Sequence, residues 1–273
     1  RDRSFDRCRC RGRRVSTLLC FHAHPDDESI ATGGTIARAV NEGHRVVLVI
    51  ATDGAHGETP VDLMTGETLV DRRRAETERS AEVLGAHAVH WLGYRDSGMT
   101  GWPQNDEAGA FMRADIDEAA ERLVAILRAE NVDVMTCYDW HGGYGHPDHI
   151  QVHRVGHRAA ELHGSVRLFE STMNRTRMVA MMRENPDRPD DWDPEGPADD
   201  GNPFGSTEDE ITMAVDVSAY IDQKRRSIMC HASQMTDSGF FVQMPPEVFA
   251  IAFGTEWFIE PGAPGGAKPG WLL

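Results

Sequence analysis

No stretch of the 273 residues approaches the roughly 18 consecutive apolar residues that a membrane-crossing helix needs. The Arg-rich start also lacks the apolar segment of about 7–15 residues that would make it a secretory signal. Cysteine is sparse and odd in number: Cys8, Cys10, Cys20, Cys137 and Cys230 cannot all pair, and Cys20 and Cys137 sit in apolar runs where a free thiol behaves as a small hydrophobe. At this length a disulfide-stapled miniprotein is excluded, and these absences lead us to expect a soluble protein in a reducing, cytoplasmic setting. Basic charge is short as well. Lys plus Arg number 28 against 44 Asp plus Glu, for a formal charge of −16. That balance repels a phosphate backbone and excludes general nucleic-acid binding. The length allows one large α/β domain or two small ones; oligomeric state is not legible.

The charge is distributed unevenly. Residues 1–14 carry seven Arg against Asp2 and Asp6, and read as a disordered or appended basic leader outside the fold. The C-x-C of Cys8 and Cys10 is too weak a pattern to assign a metal there. Residues 184–210 hold eleven acids against Arg188 alone, with five Pro, Trp192 and Phe204. Such a stretch cannot bury enough surface to fold alone, so it reads as an acidic loop inserted in a catalytic domain spanning 15–273. A solvated insertion is the plainer reading of it, and a lid over a site the functional one. Met173, Met178, Met181 and Met182 fall at near-helical spacing just before it and are expected to pack in the core.

Short apolar runs alternate with helical patterns, the signature of an α/β fold with a parallel sheet and crossover helices. Strands are expected at 17–22, 45–52, 87–92, 132–138, 166–170 and 211–217. Helices are expected at 35–42, 71–84, 115–130, 147–163 and 218–232. A strand order of 3-2-1-4-5 makes the first and fourth strands neighbours at the point where the sheet reverses direction, where ligands bind.

Both of those strands end in the same kind of chemistry. After the first comes His22-Ala23-His24-Pro25-Asp26-Asp27-Glu28. The proline extends the backbone at His24, so residues 24 and 27 can face one way while Asp26 stands beside them, where a base acting on water belongs. The plain alternative is a helix start with acids on its dipole. After the fourth strand, residues 138–149 again gather His and Asp around a Pro, with three glycines that let backbone approach a ligand. Two His and one carboxylate leave a coordination position open, the catalytic pattern for zinc. His149 is the expected ligand, His146 a donor over a reacting carbonyl, and Asp148 the partner that orients an imidazole. His153 and His157 are read as solvated helix-face residues.

The segments His24-Pro25-Asp26-Asp27-Glu28 and Gly142-Gly143-Tyr144-Gly145-His146-Pro147-Asp148-His149 together resemble those of the LmbE-like, or PIG-L, zinc-dependent N-acetylglucosaminyl deacetylases. That family includes the mycothiol-pathway deacetylase, the mycothiol S-conjugate amidase and glycopeptide-antibiotic deacetylases. The resemblance runs from about Thr17 to about Phe258. It implies a Rossmann-like open, mostly parallel sheet with helices on both faces. It also implies Zn2+ held by His24, Asp27 and His149, Asp26 as general base, and Tyr144 and His146 as stabilisers of the tetrahedral intermediate. Arg73, Asp96 and Met99 would fall near the sugar, with Glu28 grouped among the substrate contacts. Further matches are Glu76, Arg95-Asp96-Ser97-Gly98-Met99 and His231-Ala232-Ser233-Gln234.

The partner so implied is a small-molecule N-acetylglucosaminyl conjugate. The acidic insertion with Trp192 and Phe204 and the Met cluster favour a bulky acceptor such as a glycopeptide antibiotic precursor, with a mycothiol-pathway sugar as the alternative, from whose deacetylase the Phe240-Phe241 and Trp257-Phe258 pairs are departures. Two other classes compete. A non-haem iron oxygenase also uses two His and one carboxylate, yet needs no adjacent base such as Asp26. A carbohydrate-binding module would use the metal only to orient a sugar.

Overall fold

The computed structural model describes residues 15–184, 193, 196–234 and 243–273. The basic leader with Cys8 and Cys10, Trp192 and the Phe240-Phe241 pair lie outside them.

Strands β1 (Thr17–His22), β2 (Arg45–Thr52), β3 (Ala88–Tyr94), β4 (Val134–Tyr138) and β5 (Arg167–Thr172) form a parallel sheet in the order β3-β2-β1-β4-β5. The expected order is thus found, and β1 and β2 have the expected bounds. β1 is buried throughout, and its alternate residues serve different layers. Leu19 and Phe21 join Val47, Val49, Met135 and Cys137 on one face, whereas Leu18 and Cys20 join Val46, Leu48, Val134 and Phe169 on the other. Helices α4 (Ile116–Ala129) and α5 (Pro147–His163) contribute Leu123, Leu127, Val152 and Val155 to the first layer, and α2 (Gly33–Asn41) and α3 (Leu69–Leu84) contribute Ile36, Ala37 and Leu84 to the second. A five-residue helix α1 (Asp27–Ala31) leads from β1 toward α2.

Local chemistry sets the ends of these elements. Thr68 and Asp71 form a reciprocal capping box at the start of α3, and Gly85 ends it at φ 81°. Pro147 occupies the first turn of α5, where a missing N–H costs nothing. The expected strand at 87–92 runs on to Tyr94 because a register shift between Ile50 and Thr52 lets the chain pair past Gly93.

Beyond β5 the sheet changes character. β6 (Met213–Asp216), expected from the sequence, does not join β5. Strand β7 (Thr255–Ile259) lies between them, antiparallel to both, and β8 (Lys268–Pro269) closes the edge. β7 carries Glu256, whose two oxygens accept from the Gly34 and Thr35 N–H groups at 2.8 Å each. They thereby cap α2. Lys224 of α7 (Ile221–Ile228) meets the same carboxylate at 2.6 Å. The methionine run forms α6 (Arg175–Glu184), but Met178, Met181 and Met182 are half-buried and Val179 takes the buried position, so the expected core role is corrected. Helix α8 (Pro246–Phe253) precedes β7. No helix among the described residues is long and apolar enough to cross a membrane.

Candidate metal centre

The C-terminal ends of β1 and β4 bring the two His- and Asp-rich segments together. His24 Nδ1, Asp27 Oδ2 and His149 Nε2 form a triangle with sides of 3.5, 3.3 and 3.3 Å. A tetrahedral ion with ligands at about 2.0–2.1 Å requires donors about 3.3–3.4 Å apart, so the residues present fit a zinc-like cation. Their outer atoms are committed in ways that turn lone pairs inward. His149 Nδ1 lies 3.1 Å from the Gly142 carbonyl and His24 Nε2 lies 3.2 Å from Asp148 Oδ2, so in the neutral rings these nitrogens carry the hydrogens. Asp148 is fully buried and its carboxylate accepts from both the Ser97 N–H and hydroxyl. Asp148 is thus positioned against the His24 imidazole.

Close approach at Gly142 permits this geometry. Its φ is 67°, and a Cβ there would stand 2.2 Å from the His149 Cβ. Behind the triangle, the Tyr138 ring stacks on His149 with centroids 4.5 Å apart, and its hydroxyl meets His22 Nδ1 at 2.9 Å. His22 and Tyr138 took no role in the sequence reading, since a His and a Tyr at strand ends carry no spacing signal.

Asp26 stands beside the triangle in a left-handed conformation at φ 107°, costly for any residue with a Cβ. Three contacts hold it there. Glu28 accepts from its N–H at 3.0 Å, Ser29 donates to its carbonyl at 2.7 Å, and Arg73 donates to its Oδ2 at 3.2 Å while bonding the Pro25 carbonyl. Burial pushes the Asp26 carboxyl up to about 6, against the pull of Arg73. On the opposite side, His146 Nδ1 accepts from the Asp148 N–H at 3.1 Å, which places the proton of a neutral ring on Nε2. Burial, with His24 and His149 adding repulsion, pushes His146 down to about 2, so the ring is neutral. The Tyr144 hydroxyl lies 3.5 Å from His149 Nε2, and burial raises its pKa, leaving it a donor.

The residues expected at the sugar are distributed differently. Arg73 is buried beneath Asp26 and engages protein oxygens. Asp96 is also buried: it stands 3.5 Å from His24 Nε2 and accepts from the His56 and Gly98 N–H groups. Glu28 is 0% exposed, with Ser80 and His231 on Oε1 and the Asp26 N–H on Oε2, so it braces Asp26 rather than facing a ligand. Met99 is half-buried in the same loop as Asp96. A buried charged residue that braces a neighbour and one that meets a substrate look alike in sequence, which is why Arg73, Asp96 and Glu28 share one expectation there.

The described part of the acidic insertion is not a free, solvated loop. The Asp199 N–H donates to the Tyr144 carbonyl at 2.9 Å, the Gly205 N–H donates to the Gly143 carbonyl at 2.6 Å, and Phe204 stacks over Tyr144 with centroids 6.5 Å apart. Asp199 also accepts from the Thr100 N–H at 3.0 Å, tying this segment to the loop after β3. It borders the centre as a wall bonded to the Gly143 and Tyr144 backbone.

Residues 19–160 match the PIG-L family model, described as GlcNAc-PI de-N-acetylase. Over 258 residues the chain is 38% identical to the 1D-myo-inositol 2-acetamido-2-deoxy-alpha-D-glucopyranoside deacetylase of Acidothermus cellulolyticus, covering 90% of this chain and 88% of the relative. Among solved structures it is similar to the N,N'-diacetylchitobiose deacetylase from Pyrococcus horikoshii, with TM-score 0.59, 24% identity and coverage of 89% and 83%. It is also similar to the A40926 pseudoaglycone deacetylase, with TM-score 0.60, 14% identity and coverage of 90% and 97%. At those identities the structural likeness speaks for the fold. With the family model spanning more than half the chain, and with a near-full-length relative at this identity, the protein belongs to the PIG-L family.

Proposed function

We propose that the protein is a zinc-dependent deacetylase that hydrolyses the acetamide of an N-acetylglucosaminyl group carried by an inositol-like acceptor. The observation that carries the reading is the triangle of His24, Asp27 and His149 with a spare carboxylate, Asp26, at its edge. His24, Asp27 and His149 would hold the metal, which when bound supplies a Lewis acid that polarises an amide carbonyl and acidifies water. Asp26, aimed by Arg73 and Glu28, takes a proton from the attacking water and returns it to the leaving amine nitrogen. The Tyr144 hydroxyl and His146 Nε2–H donate to the carbonyl oxygen as it gains charge. The products are acetate and a free amino sugar.

The acceptor follows from similarity. The 38%-identical relative is named for an inositol-linked N-acetylglucosaminide, whereas the antibiotic pseudoaglycone deacetylase is 14% identical and supports only the fold. The glycopeptide acceptor favoured by the sequence reading therefore gives way to its alternative, the mycothiol-pathway sugar. Acetate release should be measured from an inositol-linked N-acetylglucosaminide, diacetylchitobiose and a glycopeptide pseudoaglycone, with and without a chelator. The expected result is fastest turnover of the inositol conjugate, loss on chelation and recovery on adding zinc. Binding of the acetylated sugar without acetate release would support the binding-module reading instead. Iron content with oxygen consumption would support the oxygenase, and preference for the pseudoaglycone would overturn the acceptor.

A further inference from the structure

One to two turns beyond His149, a second group of ligand-type side chains converges between α5 and the sheet. His153 and His157 are four residues apart on α5, share a face and bring their rings to 4.3 Å. Opposite them, Cys137 of β4 and Glu170 of β5 are direct partners in the parallel ladder and so project to the same side of the sheet. Glu170 Oε1 lies 2.6 Å from His157 Nε2 and 3.5 Å from His153 Nδ1. One donor atom from each of Cys137, His153 and His157 lies within 4.8 Å of the others. Gly156 makes the convergence possible, since a Cβ at that helical position would stand 2.8 Å from the Cys137 Cβ and 3.2 Å from its sulfur.

We infer that Cys137, His153, His157 and Glu170 form a second metal site, of the structural four-ligand kind, that takes a zinc-like divalent cation and ties α5 to β4 and β5. Sulfur, two imidazoles and a carboxylate make up a donor set that such an ion accepts. Tetrahedral coordination would need donors about 3.3–3.6 Å apart, so closing the group calls for side-chain shifts of about 1 Å. Binding releases the Cys137 thiol proton, and the thiolate and Glu170 then balance the two positive charges. Without metal, burial followed by the nearby Glu170 and Asp139 holds the Cys137 thiol well above its ordinary pKa, and it stays protonated. The group has one edge toward solvent, since His157 is one-third exposed and lines a surface recess of about 250 Å³ with Arg167 and Glu260. This centre shares no ligand with the His24, Asp27 and His149 triangle and is independent of its activity.

The test uses the full chain stripped of metal and titrated with Co2+, read by near-ultraviolet absorption and by bound-metal stoichiometry. The triangle offers only nitrogen and oxygen, so a thiolate-to-cobalt charge-transfer band reports a cysteine ligand. The expected result is two equivalents per chain with that band in the wild type. His157→Ala, which keeps every cysteine, should lose the band and one equivalent, as should Cys137→Ala. A Cys8→Ser, Cys10→Ser double variant should keep both. A wild type without the band, a band that survives His157→Ala, or a band lost with Cys8 and Cys10 would each overturn the assignment.

Discussion

The chain uses one tripeptide twice, His24-Pro25-Asp26 and His146-Pro147-Asp148, each after a parallel strand and each followed by a residue of the His24, Asp27 and His149 triangle. The outcomes are nearly opposite. In the first copy the histidine is a corner of the triangle and the aspartate stands at its edge with φ 107°. In the second the histidine caps α5, and the aspartate is fully buried behind His24. What differs is the backbone after the proline: α5 begins at once at Pro147, whereas the first copy passes through the strained Asp26 before its helix starts at Asp27. Residue type supplies the chemistry, and the entry into the helix decides which residue performs it.

That contrast can be broken by substitution. Asp26→Asn should lower kcat by about 10²–10⁴-fold while metal stoichiometry stays unchanged, measured by acetate release and metal analysis on the same sample. Equal loss of metal would mean that Asp26 is a ligand, and the two copies less different than described. His146→Asn keeps an oxygen to cap α5 but removes the Nε2–H; a fall of about 10²–10³-fold in kcat with an intact fold is expected. Asp148→Asn should act through His24, weakening metal affinity by about 10–100-fold in a competition titration. A kcat effect at saturating metal, with affinity unchanged, would contradict that path. Pro147→Ala should cost only about 0.4–1 kcal/mol in denaturant unfolding, through the unfolded chain, with activity retained.

How far these features could be read from the chain depended on periodicity and on spacing. The parallel half of the sheet was legible because continuous apolar strands alternate with amphipathic helices, and its order placed both segments in one crevice. β7 was not legible: Thr255–Ile259 is five residues whose polar Glu256 faces inward to cap α2, so its pattern matches neither a buried nor a half-exposed strand. At the centre, the convergence of His24, Asp27 and His149 and the contact of Asp148 with His24 were legible from adjacency to strand ends. The bracing roles of Glu28, Arg73 and Asp96 were not, because they depend on which way a side chain turns after the backbone is set. His153 and His157, read as solvated, meet Glu170 of a strand their own spacing could not reveal.

The Glu256 cap also sets an order on the making of the protein. The N-terminus of α2, a few residues past Asp26, is satisfied by a carboxylate 222 residues further along the chain. At synthesis rates of about 5–20 residues per second, that partner follows Gly34 by roughly 10–45 s. During that interval the Gly34 and Thr35 N–H groups lack the carboxylate they will bury against, and the segment leading out of the metal centre has its helix unfinished. The segment after the first strand is made well before its partner on β7, and its final setting waits for that partner.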